Sequence, residues 1–592
     1  MCGIAGLIGG GDADAARAMA QTLAHRGPDG IRVEAIEPPG SDHAARAGGA
    51  LAHARLSIID LEGGWQPLHA AGCTVIGNGE IYNYLELAEE FGLKDKLATG
   101  SDFEPLLHLY AREGEKAFDR LRGMYAFCLL GHDGRTWLVR DPFGIKPLYY
   151  RQAEGVLKFA SEPRALLLDV KGTPQVEGEP INELLTFNYS VARNTVFRGV
   201  RRLKPGEIAE VVYGRPAPKR VRSPLPQPSP TPRDEPGLLR ALDQVLEDSV
   251  TVHQRSDVPY GLFLSGGVDS SVIAAMMARL NERPVTAFTC GFEAASGKTG
   301  VKDERGQAEK VARALNLDWR EVAFTEEDFW RVLPQVAWAH DEPTTDYATL
   351  PTYRLAEAAK GTLKVVLTGE GGDELFAGYG RYRRALRPPL FGGRESGPRA
   401  EVPFLRDRGV AAIERWRQAT EPQGAALAGL DRLQQAQARD IAGWLPNDLL
   451  LKLDRCLMAH GLEGRTPFLD SEVARFAFYL PDRFKVRGRL GKWILRRWLQ
   501  RHCPGAEPFA RKSGFTTPVQ TWIAPQAAAL GPRIADLEGV RRFCEPQSVR
   551  AVFSEDRYAE HRWPLLFFAV WWGIHIDRLA PAEALARLTG KS

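Results

Sequence analysis

Hydrophobic and polar residues alternate in short runs along the first 212 residues. Three of these runs are CTVIGNGEIYNY (73–84), MYAFCLLGHDGRTWLVR (124–140) and PLYYRQAEGVLKFAS (147–161). The turn signals NG, HDGR and AEG inside them mark the expected bends. A period of two, broken by turns, is typical of antiparallel strands. We therefore predict an antiparallel β-structure for this part of the chain.

The pattern changes after residue 237. Apolar strands YGLFLS (260–265), VTAFTCGF (285–292) and LKVVLTG (363–369) alternate with the helical stretches VDSSVIAAMMARL and RGQAEKVARALN. Strands that alternate with helices predict a parallel sheet with crossover helices. From about residue 405 onward the pattern is mostly helical, and we see no internal repeat.

The two patterns are separated by a stretch rich in proline and basic residues, YGRPAPKRVRSPLPQPSPTPRDEPG (213–237). Such a composition predicts an extended, poorly packed linker. The expected division is therefore a domain over 2–212, a linker over 213–237 and a second domain over 238–592. A chain of 592 residues is too long for one hydrophobic core, which agrees with two domains.

Composition and charge exclude several classes of protein. The formal net charge is only +3, and no basic block of the kind that binds nucleic acid is present. The longest apolar run, PLLFFAVWWGIHI (564–576), is too short to span a bilayer, and the N-terminus lacks the basic region of a signal peptide. Seven widely spaced cysteines without a C-x-x-C pair argue against disulfides and zinc, and favour a reducing cytoplasm.

The first candidate for chemistry is Cys2, directly behind the initiator methionine in MCGIAGLIGG. A free thiol has a pKa of about 8.5, so only a few per cent is ionised at neutral pH. If Met1 is removed, Cys2 also carries a free α-amine, whose pKa of about 8 lets it take the thiol proton. The residue would then be an N-terminal nucleophile with its own base.

The segments that follow Cys2 strengthen this interpretation. They are LAHRGPDG (23–30), LAHARLSIIDL (51–61), WQPL (65–68), GNGEIYNY (77–84) and TGSDFE (99–104). Singly, each is ordinary turn or surface sequence. Together with the N-terminal Cys-Gly-Ile, their order and spacing over about 200 residues resemble the glutaminase domain of class II glutamine amidotransferases, an Ntn-type β-sandwich flanked by helices.

The resemblance implies that Cys2 attacks the side-chain amide of glutamine to give a thioester and ammonia. The side-chain amide of Asn78 and the N–H of Gly79 would form the oxyanion hole. Arg55 would hold the substrate carboxylate by a bidentate contact. The expected glutamine-binding residues are Arg55, Leu56, Ser57, Ile58, Asn78, Gly79, Glu80 and Asp102, with Glu80 and Asp102 at the substrate ammonium.

In the second half, LFLSGGVDSS (262–271) runs from a predicted strand through Ser265, Gly266 and Gly267 into a predicted helix. Backbone N–H groups at such a turn bind phosphate without a lysine, and glycine lets the backbone approach closely. Asp269, just inside the helix, could hold Mg²⁺ against a pyrophosphate. This stretch resembles the pyrophosphate loop of the ATP pyrophosphatase group, whose members activate a carboxylate as its adenylate.

The segment LTGEGGDELFAGYGRY (367–382) is similar to the corresponding part of asparagine synthetases. By resemblance Glu370 would deprotonate the attacking ammonia, and Asp373 would be the second metal or pyrophosphate residue. Further matches are DERGQAEKVA (303–312), KLDRCLMAHGLEGRTPFLD (452–470), LGKWILRRWL (490–499) and KSGFTTPVQTWI (512–523). The implied residues for ATP and pyrophosphate are Leu264, Ser265, Gly266, Gly267, Asp269, Ser270, Ser271, Cys290, Thr368, Gly369 and Lys492, and for Mg²⁺ Asp269 and Asp373.

Both domains in this order resemble the glutamine-hydrolysing asparagine synthetase family. The resemblance implies an adenine-nucleotide α-hydrolase-like second domain with a helical extension, small-molecule substrates (glutamine, aspartate and ATP), an internal ammonia tunnel and a possible homodimer. The implied reaction makes asparagine, AMP, pyrophosphate and glutamate through β-aspartyl-AMP.

Two alternatives remain open at the level of sequence. One is a related amidotransferase that uses another carboxylate, such as a peptide-like metabolite or a surface sugar acid. The other is a catalytically inactive homologue with a regulatory role. Three departures from the usual pattern raise doubt about the acceptor: Cys456-Leu457 in place of a small pair, Gly464 in place of a branched aliphatic residue, and the unassigned segment DEPTTDYATLP (341–351).

Overall fold

The computed structural model describes residues 2–36, 48–225, 234–293, 304–387, 402–421, 429–510 and 517–590. The first part of the chain forms two six-stranded antiparallel sheets. Its strands are β1 (Gly3–Ile8), β2 (Gly30–Ile36), β3 (Gly49–Arg55), β4 (Leu68–Ala70), β5 (Cys73–Ile81), β6 (Gly123–Leu130), β7 (Thr136–Arg140), β8 (Tyr149–Ala153), β9 (Val156–Ala160), β10 (Val200–Arg202), β11 (Glu207–Val212) and β12 (Arg215–Val221). Four helices accompany them: α1 (Ala13–Gln21), α2 (Tyr84–Glu90), α3 (Glu104–Glu113) and α4 (Gly178–Phe187).

One sheet has the order β10-β8-β9-β1-β3-β2 and the other β12-β11-β7-β6-β5-β4. Apolar side chains of both sheets share one core, in which Ile4 and Leu51 from the first sheet meet Ile76 and Ala126 from the second. This layer between the sheets is what makes the structure a sandwich. The predicted β-sandwich flanked by helices is therefore confirmed.

Two of the three predicted bends are found, and the third is not. The HDGR turn joins β6 to β7, and AEG joins β8 to β9. The NG pair, however, lies inside β5, where Asn78 and Gly79 pair with Ala126 and Tyr125 of β6. The strand continues because Gly79 adopts a φ of +136°, and a Cβ at this position would lie 2.0 Å from the Met124 carbonyl oxygen, which leaves no room for a side chain.

The predicted linker also differs from the structure. Residues 215–221 form β12, which pairs with β11 at the edge of the second sheet, so that sheet extends past residue 212 to Val221. Pro216 and Pro218 are compatible with this position because an edge strand does not need every N–H for pairing. Residues 226–233 of the predicted linker lie outside the described residues, and α5 (Glu235–His253) begins the second part of the chain.

The second part is built on a five-stranded parallel sheet of order β15-β14-β13-β16-β17. These strands are β13 (Tyr260–Phe263), β14 (Thr286–Phe292), β15 (Asp318–Phe324), β16 (Val365–Leu367) and β17 (Glu463–Arg465). The helices up to β17 are α6 (Val268–Leu280), α7 (Arg305–Ala314), α8 (Glu326–Ala339), α9 (Thr349–Ala359), α10 (Gly372–Leu375), α11 (Gly380–Ala385), α12 (Val410–Thr420), α13 (Arg432–Ala442) and α14 (Leu450–Met458). The predicted parallel sheet with crossover helices is confirmed.

After β17 the chain is helical, as predicted. The helices are α15 (Ser471–Phe478), α16 (Asp482–Lys485), α17 (Trp493–His502), α18 (Val519–Ile523), α19 (Ala527–Asp536), α20 (Glu538–Phe543), α21 (Pro546–Ser554), α22 (Arg562–His575) and α23 (Pro581–Thr589). The longest apolar run of the sequence lies in α22, which is buried in the core rather than exposed. Within the described part of the chain, no helix has the length and apolar character required to cross a membrane.

Candidate functional site

The first candidate site is centred on Cys2, where the two antiparallel sheets meet. Cys2 precedes β1 in one sheet, and its backbone N–H donates a hydrogen bond of 3.0 Å to Oδ1 of Asn78 in β5 of the other. The thiol lies 3.9 Å from the Leu56 carbonyl oxygen and is almost fully buried. This burial raises the pKa of the Cys2 thiol, so the group needs a base to become a nucleophile at neutral pH. Met1, whose removal would supply that base, lies outside the described residues.

One hydrogen-bond donor is available beside Cys2, and the second predicted donor belongs to the next residue of β5. Because Oδ1 of Asn78 is engaged by Cys2, the amide nitrogen Nδ2 of the same side chain is left buried without a hydrogen-bond partner among the described residues. A buried donor without a partner is costly unless a ligand uses it. The next residue is Gly79, where a Cβ atom would lie 2.0 Å from the Met124 carbonyl oxygen. The backbone therefore requires glycine where the second predicted donor lies.

Arg55, at the end of β3, presents a positive charge near the thiol. Its guanidinium donates to the carbonyl oxygens of Leu61 and Asp60 at 3.0 and 2.5 Å and lies over the Trp65 ring, 4.7 Å from the ring centroid. Among the described residues, no carboxylate lies within 4.0 Å of it, so the charge is fixed in place but not neutralised. A planar cation held in this way suits a bidentate contact with a substrate carboxylate.

Glu80 and Asp102 are two buried carboxyl groups of the predicted glutamine site. Burial, with Asp102 as the next cause, raises the pKa of Glu80 well above its ordinary value, and burial raises the pKa of Asp102 to about 7. Asp102 accepts the Ile81 N–H at 2.7 Å, and Glu80 is 3.3 Å from Arg465 of β17. A substrate ammonium between these two buried carboxyl groups would offset their mutual repulsion.

The other predicted glutamine-binding residues have different surroundings. Leu56 presents its carbonyl oxygen to the Cys2 thiol. The Ser57 N–H is bound to Asp29 at 2.7 Å, and the Ile58 side chain is buried in the apolar core. Only the first of the three therefore makes a contact with the nucleophile in the structure.

The second candidate site is a cavity of about 1090 Å³ at the carboxyl ends of β13, β14 and β16. The strands that follow β13 in the chain lie on both sides of it: β14 and β15 on one side, and β16 and β17 on the other. Open parallel sheets bind their ligands at such a reversal point. The lining includes Leu264, Ser265, Gly266, Gly267, Asp269, Ser270, Cys290, Thr368, Gly369, Glu370, Asp373 and Lys492, all of which were predicted. The predicted residue Ser271 does not line the cavity but is fully buried in α6.

Lys492 joins the two predicted metal-binding carboxylates. Its Nζ forms a short ion pair with Asp269 and lies 2.7 Å from Oδ1 of Asp373. Burial alone would lower the pKa of Lys492, but the two carboxylates raise it above its ordinary value. Gly378 makes this arrangement possible, since a Cβ there would lie 1.8 Å from Asp373 and 2.2 Å from Lys492. Lys492 is only 3% exposed, so the ion pairs are shielded from solvent.

The chemistry of this donor set fits Mg²⁺ bound together with a nucleotide. The described residues include no cluster of three His, Cys, Asp or Glu side chains able to hold a metal ion alone. Mg²⁺ is, however, commonly bound by one or two carboxylates plus the phosphates of a substrate. Asp269 and Asp373 supply two carboxylates on either side of Lys492, beside the amino end of α6.

The cavity also contains residues that the sequence analysis did not assign. Lys452 of α14 is buried, and its Nζ lies 3.2 Å from Asp346 and 3.5 Å from Glu370. Burial lowers the pKa of Lys452, but Asp346 and Glu370 more than reverse this effect, so the lysine is charged. Tyr347 lines the cavity beside them. Lys452 lies in the segment KLDRCLM and Asp346 in DEPTTDYATLP, but nothing in the sequence indicates that these two segments contact each other.

Two of the three departures from the usual pattern lie away from the cavity. Cys456 is buried with its thiol 3.3 Å from the Thr349 carbonyl oxygen, and Leu457 is fully buried. A Cβ at Gly464 would lie 3.1 Å from both Leu453 and Leu457. The small Gly464 therefore makes room for the large Leu457, which is a compensating exchange of volume. The segment 512–516 of KSGFTTPVQTWI, and Asp303, lie outside the described residues.

Comparisons with known proteins match both parts of the chain. A family model described as "Glutamine amidotransferase domain" matches residues 1–220, and one described as "Asparagine synthase" matches residues 241–573. Asparagine synthetase [glutamine-hydrolyzing] 1 of Bacillus subtilis is 31% identical over 96% of this chain and 95% of its own length. Asparagine synthetase B [glutamine-hydrolyzing] of Escherichia coli is 29% identical over 88% of this chain and 82% of its own. The chain therefore belongs to the asparagine synthetase family of glutamine-dependent amidating enzymes.

Proposed function

We propose that this enzyme converts aspartate to asparagine with ammonia taken from glutamine. ATP activates the acceptor as β-aspartyl-AMP, and the products are asparagine, AMP, pyrophosphate and glutamate. The observation that carries the proposal is the second cavity, because it brings together the Ser-Gly-Gly turn, the Asp269–Lys492–Asp373 group and Glu370. The family's use of glutamine, aspartate and ATP supports the choice of substrates.

In the first site, glutamine would bind with its α-carboxylate on Arg55 and its α-ammonium between Glu80 and Asp102. After removal of Met1, the Cys2 nitrogen is an α-amine that takes the thiol proton. The thiolate attacks the side-chain amide carbon, and Nδ2 of Asn78 and the N–H of Gly79 stabilise the oxyanion. Collapse of this intermediate passes the proton to the leaving nitrogen, which departs as ammonia. Water then hydrolyses the thioester to glutamate and restores the thiol.

In the second site, the β-carboxylate of aspartate would attack the α-phosphorus of ATP. The Ser265–Gly267 turn and the amino end of α6 would receive the pyrophosphate, since the amino end of a helix carries a partial positive charge that attracts an anion. Lys492 adds a positive charge where negative charge accumulates on the leaving group. Mg²⁺, held by Asp269 and Asp373 together with the phosphates, would neutralise further phosphate charge.

Ammonia then attacks the acyl carbon of the adenylate, and AMP leaves. The nitrogen must lose a proton, and the Glu370 carboxylate in the same cavity is the proposed acceptor. Nζ of Lys452 lies 3.5 Å from this carboxylate and holds it by an ion pair.

Pyrophosphate release tests the proposal. The purified protein is supplied with ATP, Mg²⁺ and glutamine, with and without aspartate, and any amide product is identified by mass. Aspartate-dependent release with formation of asparagine supports the proposal. Glutamine hydrolysis without any aspartate dependence contradicts it and points to another carboxylate, which a panel of amino-acid and sugar-acid carboxylates would then identify.

A further inference from the structure

Arg26 and Asp454, neither of which lines the second cavity, meet between the two parts of the chain. Arg26 comes from LAHRGPDG, just after α1, and Asp454 comes from KLDRCLM in α14. The guanidinium donates two parallel hydrogen bonds to the carboxylate, Nη1 to Oδ2 at 2.8 Å and Nη2 to Oδ1 at 3.0 Å. Both side chains are almost completely buried. The contact spans 428 positions of sequence and is a bidentate pair, the geometry that fixes both groups most tightly.

The third nitrogen of the same guanidinium contacts the backbone of the residue that carries the nucleophilic thiol. Nε of Arg26 donates to the backbone carbonyl oxygen of Cys2 at 3.4 Å. Nη1 also donates to Glu162 at 2.9 Å, so carboxylates from both parts of the chain hold the cation. Because a guanidinium is planar and rigid, its orientation on Asp454 fixes where Nε points. A change at Asp454 is therefore transmitted to the backbone of Cys2.

We propose that Asp454, which lies in the synthetase part of the chain, positions the Cys2 nucleophile of the glutaminase site through Arg26. Asp454 does not touch the thiol and is a positioning residue, not a catalytic one. The inference rests on the proposed role of Cys2. It deepens that role by making full glutaminase activity dependent on a carboxylate from the other part of the chain.

The size of the effect follows from the geometry of attack. A thiolate must be held at close range and correct angle to the amide carbon, and a displacement of about 1 Å costs on the order of a hundredfold in rate. Asp454→Asn keeps the shape of the side chain but replaces one of two charged acceptors by an amide group. We expect the kcat for glutamate release from glutamine to fall at least tenfold. The KM for glutamine should stay within twofold, since Arg55, Glu80 and Asp102 are unchanged.

The discriminating readout is synthesis from added ammonium, which bypasses Cys2. In Asp454→Asn this activity should stay within twofold of the wild type. The matched control is Asp341→Asn, because Asp341 is equally buried and belongs to the same group of ion pairs. Asp341 pairs with Arg455 at 3.0 Å and has no hydrogen bond to Arg26. The control should leave the kcat for glutamate release within twofold.

Three results would overturn the inference: an unchanged kcat in Asp454→Asn, an equal loss of ammonium-dependent synthesis, or the same selective loss in Asp341→Asn. If Asp454→Asn does not fold, Asp454→Glu tests the same contact with the charge kept and the carboxylate displaced by one methylene. It should lose kcat for glutamate release selectively, and wild-type values would refute the inference. Cys2→Ala distinguishes a failure of the proposed role of Cys2 from a failure of the positioning role of Asp454. Glutamate release that survives in Cys2→Ala refutes the proposed role of Cys2 itself.

Discussion

Replacing Asn78 tests the oxyanion hole of the glutaminase site. The side chain has two separable functions, because Oδ1 accepts the Cys2 N–H at 3.0 Å and Nδ2 is buried with no partner in the part of the chain that the structure describes. Asn78→Ala removes both functions. Asn78→Asp keeps the acceptor for Cys2 but replaces the donor by a carboxylate oxygen. If Nδ2 stabilises the oxyanion, both variants lose that stabilisation.

The magnitude follows from the loss of one buried donor. Removing a single oxyanion donor typically costs a factor of about 10² to 10³ in kcat, equivalent to roughly 2.7–4 kcal/mol. Since this hydrogen bond is made in the transition state, kcat should fall while the KM for glutamine stays within about threefold. The assay is glutamate release from glutamine, and ammonium-dependent pyrophosphate release serves as the control for the second cavity.

The comparison of the two variants can refute the reasoning. Near wild-type glutamate release by Asn78→Asp, with a large loss in Asn78→Ala, would mean that anchoring the Cys2 nitrogen is the important function. A rise in KM without a fall in kcat would mean that Asn78 binds ground-state glutamine. An equal loss of ammonium-dependent activity would mean that the substitution damages the whole protein.

Three further predictions concern pH, pyrophosphate and packing. Because the pKa of Asp102 is about 7, its carboxylate becomes mostly ionised as the pH rises through 7, so kcat/KM for glutamine should rise between pH 6 and 8. Asp102→Asn should remove this step, and a profile identical to the wild type would contradict the prediction. Asp269→Asn should abolish pyrophosphate release with glutamine or ammonium as the nitrogen donor while glutamate release survives, and unchanged pyrophosphate release would mean that the turn is misassigned. Gly464→Val should lower the stability by about 1–3 kcal/mol, since the added atoms would press on Leu453 and Leu457, and an unchanged urea midpoint would contradict this.

The strand and helix content of each part of the chain could be predicted from local pattern, whereas the sandwich arrangement of the first part was implied only by the resemblance. The period of two predicted antiparallel strands, the alternation of strand with helix predicted the parallel sheet, and VDSSVIAAMMARL corresponds to α6 residue for residue. Strands β15 and β17 were missed. The first, DWREVAF, is partly exposed and charged, and the second has only three residues, so neither shows an apolar run. The NG pair was wrongly predicted as a bend. Glycine is required inside β5 because of the nearby Met124 carbonyl oxygen, and this contact with a neighbouring strand cannot be read from the local sequence.

Single residues of the sites were predicted better than their partnerships. The family resemblance identified Lys492 as a candidate residue. Its ion pairs with Asp269 and Asp373 were not predicted, because the three residues lie more than a hundred positions apart in the sequence. The same limit applies to Lys452 with Asp346, and to Arg26 with Asp454. Each pair joins residues distant in sequence, and no periodicity or spacing encodes such a contact. These partnerships become visible only when the chain is folded.

The most direct test of the central claim follows two labelled atoms through one turnover. The protein is supplied with ATP, Mg²⁺, glutamine labelled with ¹⁵N in its side-chain amide and aspartate labelled with ¹⁸O in its β-carboxylate, and the products are analysed by mass. The account predicts ¹⁵N in asparagine and one ¹⁸O in the phosphate of AMP, because the carboxylate oxygen that attacks ATP leaves with AMP. The absence of ¹⁸O from AMP, or its appearance in pyrophosphate, would contradict activation through β-aspartyl-AMP.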